Sequence, residues 1–131
     1  QKMCSLRAEK VERVANYIPK QKVYGKKEGD LLVIGWGGTF GHLYSTVDAL
    51  ERAGYSIGLC QFNYINPLPK NTNDILAKYK KIVVCELNSG QFANYLRMNF
   101  QEYHFEQYNK IQGFPFTTTE LEEHFKSLLK K

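Results

Sequence analysis

Runs of consecutive apolar residues recur along the chain, and each run ends in polar or glycine-rich residues. The runs lie at residues 31–36, 57–62, 81–85 and 105–108. Between them, apolar positions recur with the helical period of about 3.6 residues. Strands that are apolar on both faces and alternate with helices are typical of a parallel sheet. We therefore predict an α/β fold whose strands end at one edge, where such folds bind ligands or partners.

Amphipathic helices are predicted between and around these runs. A leading helix covers residues 3–18, and the next helix begins after Gly41 and stops at Gly54, since glycine commonly follows a helix's carboxyl end. A third, short helix has Ile75, Leu76 and Tyr79 on its inner face. Residues 22–25 precede all the apolar runs and are predicted to form an edge strand.

Two further helices are predicted in the last third of the chain. The first has an apolar face formed by Phe92, Ala93, Leu96 and Phe100. The second, at the carboxyl terminus, can be capped by Thr117 or Thr119, with Glu120 or Glu122 three residues on, as in a capping box. Its apolar face consists of Leu121, Phe125, Leu128 and Leu129.

Length and composition place the chain among ordinary globular domains. With 131 residues, 43% hydrophobic and 24% charged, it is predicted to be a single domain over residues 1–131. No window resembles a membrane span or the apolar core of a signal peptide. The first residue is Gln1 rather than methionine, so we expect a fragment of a longer polypeptide.

The basic charge does not indicate a nucleic-acid partner. The net charge is +5, but the lysine runs are not interleaved with aromatic residues as in single-strand-binding surfaces. Solvated faces and helix ends explain these lysines. We therefore expect neither a nucleic-acid nor a membrane partner.

Cysteine and histidine usage argues against a metal site and for a reducing compartment. Cys4, Cys60 and Cys85 are odd in number and lack a CxxC spacing. Two of them lie in apolar strands and are interpreted as small buried hydrophobic residues in a cytoplasmic protein. The three histidines have no metal-ligand spacing.

The glycine-rich segment GWGGTFG at residues 35–41 is a candidate phosphate-binding turn, with Gly35, Gly37, Gly38 and Thr39 as its candidate residues. Glycines there would let backbone N–H groups surround an anion at the next helix's N-terminus. The segment is not a dinucleotide fingerprint, because position 40 is phenylalanine. A tight strand-to-helix turn that needs positive φ is the favoured explanation of these glycines.

Polar residues after the third apolar run are candidates for an interface. Glu86, Asn88 and Gln91 fall at the edge where chemistry or docking would occur. The alternative is structural, with Asn88 or Ser89 as a helix N-cap. No second titratable residue is evident as a catalytic partner, so no catalytic residue is predicted.

Aromatic residues at or beyond the strand ends are further interface candidates, because rigid aromatic side chains suit protein interfaces. Packing in the core is the alternative for each of them. These residues are Trp36, Tyr64, Phe92, Phe114 and Phe116.

Four segments taken in order resemble the carboxyl-terminal domain of the alpha subunit of 2-oxoglutarate:ferredoxin oxidoreductase, in the 2-oxoacid:ferredoxin oxidoreductase family. The similarity extends over nearly the whole chain from about Arg7. One departure is Gly38, where family members often have serine. The segments are DLLVIGWGGTFG, NPLPKN, CELNSGQ and YNKIQGFPF.

The resemblance implies a three-layer α/β/α fold like the carboxyl-terminal domain of transketolase. Its five-stranded, mostly parallel sheet would have an antiparallel first strand at the edge, and residues 22–25 are the candidate. The resemblance also implies a parent complex that uses thiamine diphosphate with magnesium, iron–sulfur clusters and coenzyme A. Its partners would be the rest of the alpha subunit, the beta subunit and ferredoxin, and none of these cofactors is expected to bind this domain.

We therefore expect a non-catalytic domain that organises subunits around an active site for oxidative decarboxylation of a 2-oxoacid. Two alternatives remain open. One is a phosphate- or coenzyme A-binding module that uses the glycine-rich turn, and the other is a stand-alone regulatory domain.

Overall fold

The computed structural model describes residues 20–36, 40–62, 68–86, 91–109 and 117–129. The predicted leading helix at residues 3–18 lies outside these ranges. The described strands are β1 (Tyr24–Gly25), β2 (Gly29–Trp36), β3 (Ile57–Phe62), β4 (Tyr79–Glu86) and β5 (Phe105–Asn109). The described helices are α1 (Phe40–Arg52), α2 (Thr72–Leu76), α3 (Gln91–Asn99) and α4 (Thr118–Leu129).

The strands form one five-stranded sheet in the order β1-β3-β2-β4-β5. The edge strand β1 is antiparallel to β3, while β3, β2, β4 and β5 are mutually parallel. This arrangement confirms the predicted fold class, including the antiparallel edge strand. The strand predicted to be central, β2, lies in the middle and has no exposed residue, as expected for a strand paired on both sides and covered on both faces.

Helices cover both faces of the sheet, and each face has its own apolar cluster. On one face, α1 and α4 pack against Leu31, Val33 and Leu59. On the other face, α2 and α3 pack against Leu32, Ile34 and Phe62. Neighbouring residues of a strand point to opposite faces, which explains why both clusters draw on β2 and β3.

Local sequence signals fix two of the helix ends. Gly54, with φ +101°, follows α1, and the N–H groups of Gly54 and Tyr55 donate to the carbonyls of Glu51 and Leu50. These bonds form a Schellman motif, which confirms the predicted stop. At α4 the Thr117 N–H donates to Glu120 Oε1 at 2.9 Å, and Thr117 Oγ1 accepts from the Glu120 N–H at 3.2 Å. This reciprocal pair is the predicted capping box.

One predicted helix residue belongs to a strand. Tyr79 does not extend the short helix α2, which ends at Leu76; it begins β4 and pairs with Gly29. Its ring joins the apolar cluster under α2, and its hydroxyl donates to the carbonyl of Lys26. The helical spacing was therefore misleading, because β4 begins after only two intervening residues and places Tyr79 on the same apolar cluster.

None of the helices in the described ranges has the length and apolar character needed to cross a membrane.

Candidate functional site

The parallel strands end at a common edge, and we call this the carboxyl edge. It is formed by the last residues of β2, β3, β4 and β5, which are Trp36, Phe62, Glu86 and Asn109. Of the predicted site residues, Gly35 lies inside β2, paired with Gln61 and Cys85, and Gln91 begins α3. Trp36, Glu86 and Phe92 are described below, and the remaining predicted residues lie outside the described ranges: Gly37, Gly38, Thr39, Tyr64, Asn88, Phe114 and Phe116.

Glu86, the last residue of β4, bonds through its side chain to the start of α3. Its side chain is completely buried. One carboxylate oxygen accepts the Phe92 N–H at 2.8 Å and the other accepts the Ala93 N–H at 3.0 Å. These are N–H groups of the first helical turn, which have no partner within the helix. The carboxylate therefore caps the helix and occupies the position where an anionic ligand could bind.

Aromatic rings at the carboxyl edge pack into the core beneath it. Phe92 is 3% exposed and lies 5.4 Å from the ring of Phe62 and 5.8 Å from that of Trp36. For Phe92 the structure thus shows core packing, the alternative considered above. Trp36 is half-buried and packs against the same cluster. An interface role for its exposed part stays a prediction.

The two described thiols lie on opposite faces of the sheet. Cys60 packs in the cluster under α2 and α3, and Cys85 packs in the cluster under α1 and α4. Burial raises the pKa of Cys60 to about 12, against a smaller opposing effect of Lys27. Burial also raises the pKa of Cys85, and the nearby Glu86 charge adds to the effect. Both thiols are therefore protonated and unreactive near neutral pH.

Sequence reasoning missed a group of exposed aromatic rings near one corner of the carboxyl edge. Tyr24, Phe40 and Tyr44 are among the exposed large hydrophobic residues, and their ring centroids lie 5.5 to 5.6 Å apart. We call these three residues the aromatic corner. Part of the signal was present, since Phe40 and Tyr44 are four residues apart on one helix, outside its core-facing stripe. Tyr24 reaches them only through the pairing of β1 with β3.

The backbone of β1 explains how Tyr24 reaches α1. Gly25 has φ +84°, and a Cβ atom there would lie 2.7 Å from the carbonyl oxygen of Ile57. Glycine therefore allows β1 to approach β3 closely, in a conformation that other residues rarely adopt. This pairing sets Tyr24 opposite Leu59, on the face that α1 covers.

Two hollows accompany these features. One, of about 90 Å³, adjoins the aromatic corner and is lined by Tyr24, Gly25, Tyr44, Val47, Asp48 and Glu51. The other, of about 280 Å³, lies where β4 and β5 begin, away from the carboxyl edge. In this second hollow Lys80 pairs with Asp30 and Lys81 donates to the carbonyl of Leu128. Its lysines are therefore already engaged by the protein.

A family model, pyruvate:ferredoxin oxidoreductase core domain II, matches residues 29–124. The matched range contains β2 to β5 and thus the whole described carboxyl edge. The chain belongs to this family. The predicted membership of the 2-oxoacid:ferredoxin oxidoreductases is confirmed.

Two curated proteins show how much of a relative this family domain represents. This chain is 30% identical over 120 residues to 2-oxoglutarate oxidoreductase subunit KorA of Mycobacterium tuberculosis. The alignment covers 91% of this chain and 18% of that subunit. A shorter stretch of 59 residues is 34% identical to 1-deoxy-D-xylulose-5-phosphate synthase of Helicobacter pylori, and covers 45% of this chain and 10% of that enzyme. The chain thus spans less than a fifth of these relatives.

Solved structures share the fold of the family domain. A 2-oxoglutarate:ferredoxin oxidoreductase from Magnetococcus marinus, with 2-oxoglutarate, coenzyme A and succinyl-CoA bound, has a TM-score of 0.83 at 24% identity over 90% of this chain and 21% of that one. The alpha chain of a probable 2-oxoacid ferredoxin oxidoreductase from Thermoplasma acidophilum has a TM-score of 0.58 at 23% identity. The match covers 86% of this chain and 98% of that one. A split-gene transketolase has a TM-score of 0.59 at 12% identity, and the match covers 83% of this chain and 41% of that one. The last match supports the predicted transketolase-like fold.

The described residues do not fit the iron–sulfur clusters that the resemblance implies for the parent complex. Cluster iron is bound by several convergent thiolates, whereas Cys60 and Cys85 are protonated and lie on opposite faces. Across the described ranges, no group of three or more His, Cys, Asp and Glu residues could hold a metal ion. No chemical step can therefore be derived from a metal bound by these residues.

Proposed function

We propose that this domain is the non-catalytic carboxyl-terminal domain of the alpha subunit of a thiamine diphosphate-dependent 2-oxoglutarate:ferredoxin oxidoreductase. Its role is to organise the other parts of the enzyme around an active site that converts the 2-oxoacid to an acyl-CoA. The family match and the similarity to the KorA subunit support the class of enzyme. The name of that relative supports 2-oxoglutarate as the substrate.

The burial of the Glu86 carboxylate and its two backbone hydrogen bonds are the observation that supports the non-catalytic role. Glu86 is the acidic residue among the last residues of the described parallel strands, and both of its oxygens are taken up by backbone N–H groups. A general acid or base must reach a reacting atom. The buried Glu86 carboxylate instead stabilises α3, which supports a structural role for this part of the edge.

Other parts of the enzyme would hold the reactive groups. In this proposal thiamine diphosphate, magnesium, the iron–sulfur clusters and coenzyme A bind the rest of the alpha subunit or the beta subunit. Ferredoxin would accept the electrons from the assembled complex. The two buried, protonated thiols suit the reducing cytoplasm, where we place the protein.

The domain itself would act as a rigid platform. Its sheet is covered by helices on both faces, while the half-buried Trp36 lies at the carboxyl edge. A partly exposed tryptophan held by core packing is well suited to a protein contact, since little side-chain entropy is lost on binding. We expect a neighbouring domain or subunit to cover it.

An activity assay tests this proposal. Coenzyme A-dependent decarboxylation of 2-oxoglutarate, with a viologen dye as electron acceptor, is measured for the complete complex and for this chain alone. We expect turnover only by the complex. Turnover by the chain alone would contradict the proposal.

A variant in the complete complex tests the platform role. Trp36→Ala should weaken subunit assembly, measured by sedimentation velocity. Met98→Ala is the control, because Met98 is 74% exposed and lies near the carboxyl end of α3, whereas the carboxyl edge adjoins the start of that helix. If the Trp36 and Met98 variants assemble as well as the wild type, the platform role is wrong.

A second candidate function is the binding of coenzyme A phosphates at the glycine-rich turn. The observation that favours it is the Magnetococcus relative, which was solved with coenzyme A bound. Calorimetry with coenzyme A would detect such a site as salt-sensitive binding. Gly37→Asp should abolish it by placing a negative charge in the turn, whereas Ala49→Asp adds the same charge at an exposed position farther along α1.

A further inference from the structure

The chain enters the sheet through residues 20–23, and a side chain from another part of the domain fastens this entry segment. The Gln21 N–H donates to Asn71 Oδ1 at 2.7 Å, and Asn71 Nδ2 donates to the Gln21 carbonyl at 2.9 Å. A side-chain amide has the same kinds of donor and acceptor as a peptide group. Asn71 therefore bonds to Gln21 as a residue of a neighbouring strand would, and we call this reciprocal pair the clasp.

Asn71 stands at a position where its amide would ordinarily serve its own helix. It is the residue before α2, and asparagine at such a position commonly accepts an N–H of the first helical turn. Here the Asn71 side chain makes no capping bond. The amide instead reaches a residue 50 positions earlier in the chain, which helix capping does not explain.

The other contacts of the entry segment are few. Gln21 Nε2 donates to the carbonyl of Gln61 in β3 at 2.9 Å, and Val23 packs, partly buried, against the apolar cluster under α2 and α3. The backbone pairing of β1 with β3 covers only Tyr24 and Gly25. Because so short a pairing stabilises little by itself, the clasp decides whether the entry segment stays on the sheet.

The direction of β1 places the clasp at the carboxyl edge. β1 is antiparallel to β3, so the residues before β1 lie beside the last residues of β3. The bond between Gln21 and Gln61, the residue before the end of β3, agrees with this position. Whatever precedes Lys20 in the polypeptide is therefore attached to the domain at the edge where Trp36 also lies.

We infer that Asn71 is a positioning residue, which fastens the entry segment to the carboxyl edge and so fixes how this domain is held against the polypeptide before it. The inference rests on the proposed function for the identity of that polypeptide, which is the rest of the alpha subunit. The fastening itself depends only on the contacts of Gln21 and Asn71. A joint fixed at this edge keeps the domain from turning relative to the parts of the enzyme that it organises.

Trypsin cleavage of the complete complex measures the fastening. Lys20 and Lys22 are exposed on either side of Gln21, and a protease cuts such a segment when it opens from the sheet. Asn71→Asp keeps the shape of the side chain but turns an oxygen, in place of a donor, toward the Gln21 carbonyl. Cleavage after the two lysines, followed by mass spectrometry, should become about tenfold faster. An unchanged cleavage rate would overturn the inference.

Two further variants separate the loss of the clasp from the added charge. Asn71→Ser removes the amide without adding a charge and should also speed cleavage. Asn73→Asp adds the same charge at an exposed residue of α2, whose side chain accepts from the Tyr103 hydroxyl at 3.2 Å. Its cleavage rate should stay within about twofold of the wild type. If Asn73→Asp speeds cleavage as much as Asn71→Asp does, charge on α2 is the cause and the inference is wrong.

Turnover by the same complexes measures the positioning. In the complex with Asn71→Asp, kcat for the coenzyme A-dependent decarboxylation of 2-oxoglutarate should fall several-fold, because the domain no longer holds its neighbours in one arrangement. The melting temperature should stay close to that of the wild type, since only the entry segment opens. Asn73→Asp should leave kcat unchanged. Faster cleavage of Asn71→Asp with an unchanged kcat would overturn the positioning role.

The outcomes separate this inference from the proposed function. If Trp36→Ala weakens assembly while Asn71→Asp leaves cleavage unchanged, the inference is wrong and the platform role stands. If Asn71→Asp changes both cleavage and kcat while Trp36→Ala assembles as well as the wild type, the positioning role of Asn71 stands and the contact at Trp36 is wrong.

Discussion

The two groups of aromatic residues near the carboxyl edge differ in where their rings go. Phe62 and Phe92 lie at or beside strand ends but are almost completely buried, with Trp36 packed partly over them. Tyr24, Phe40 and Tyr44 pack on each other just as closely but remain more than a third exposed. One group completes a core, and the other stays in contact with solvent.

This difference shows that a position at a strand end is a poor guide to exposure. At the carboxyl edge α3 packs in the same cluster as Phe62, and its first turn is bonded to the Glu86 carboxylate. At the other corner the edge strand β1 has only two residues, and Tyr24 packs on Phe40 and Tyr44 without burying them.

The largest expected effect is the loss of stability on deleting the buried ring of Phe62, compared with deletion of the exposed ring of Phe40. Phe62→Ala should lower the free energy of unfolding by about 3 to 5 kcal/mol, since it leaves a cavity beneath Phe92. Phe40→Ala removes the same atoms from a ring that is 37% exposed and should cost less than about 1 kcal/mol. Urea unfolding measures both. Similar losses for the two variants would show that the aromatic corner is part of the core.

A smaller effect is expected from Glu86, which holds the buried group closed. Glu86→Gln replaces one accepting oxygen with a donor that faces a backbone N–H, and it should cost about 1 to 3 kcal/mol. Glu102→Gln, at an exposed position, is the control. The amide protons of Phe92 and Ala93 should also exchange faster with solvent in the Glu86 variant. Unchanged exchange would mean that the carboxylate does not cap α3.

The smallest effect concerns His124, whose side chain is half-buried and so lies between the buried and the exposed group in solvent exposure. Its ring stacks on Tyr108 at 4.2 Å, and its Nε2 is buried without a hydrogen-bond partner among the described residues. Burial lowers the pKa of His124, against a smaller opposing effect of Glu106. The unfolded chain therefore binds the proton more readily, and stability should fall as the pH drops below about 6.5.

Thermal unfolding between about pH 7 and pH 5 measures this dependence. His124→Phe keeps a stacked ring but cannot be protonated, so its melting temperature should fall less over this range than that of the wild type. His42→Gln, at an exposed histidine of α1, should behave like the wild type. Parallel curves for the wild type and His124→Phe would contradict the assignment.

Much of the fold could be predicted because its signals are local. The run at residues 57–62 matches β3 at both ends, and Gly54 and Thr117 act within one helical turn of their partners. The error at Tyr79 arose from the same kind of signal. An apolar residue three or four positions beyond Ile75 and Leu76 fits a helix, and only its pairing with Gly29 reveals the strand.

The candidate site could be predicted less well because its contacts are distant in sequence. Glu86 was predicted at the right edge, but the bonds to Phe92 and Ala93 depend on the path of the intervening turn. Tyr24 and Tyr44 are brought together by the antiparallel pairing of β1 with β3. No periodicity contains that pairing, so the exposed cluster became visible only in three dimensions.

The separation of Cys60 and Cys85 by the thickness of the sheet has a practical consequence. A disulfide requires Cα atoms within about 7 Å with side chains directed toward each other, a geometry that residues on opposite faces cannot reach while the strands remain paired. The amount of Cys60–Cys85 disulfide-linked peptide, measured by mass spectrometry after exposure to air, would therefore report the fraction of molecules whose strands had separated. The two cysteines can therefore be used as an internal probe of unfolding during purification and storage.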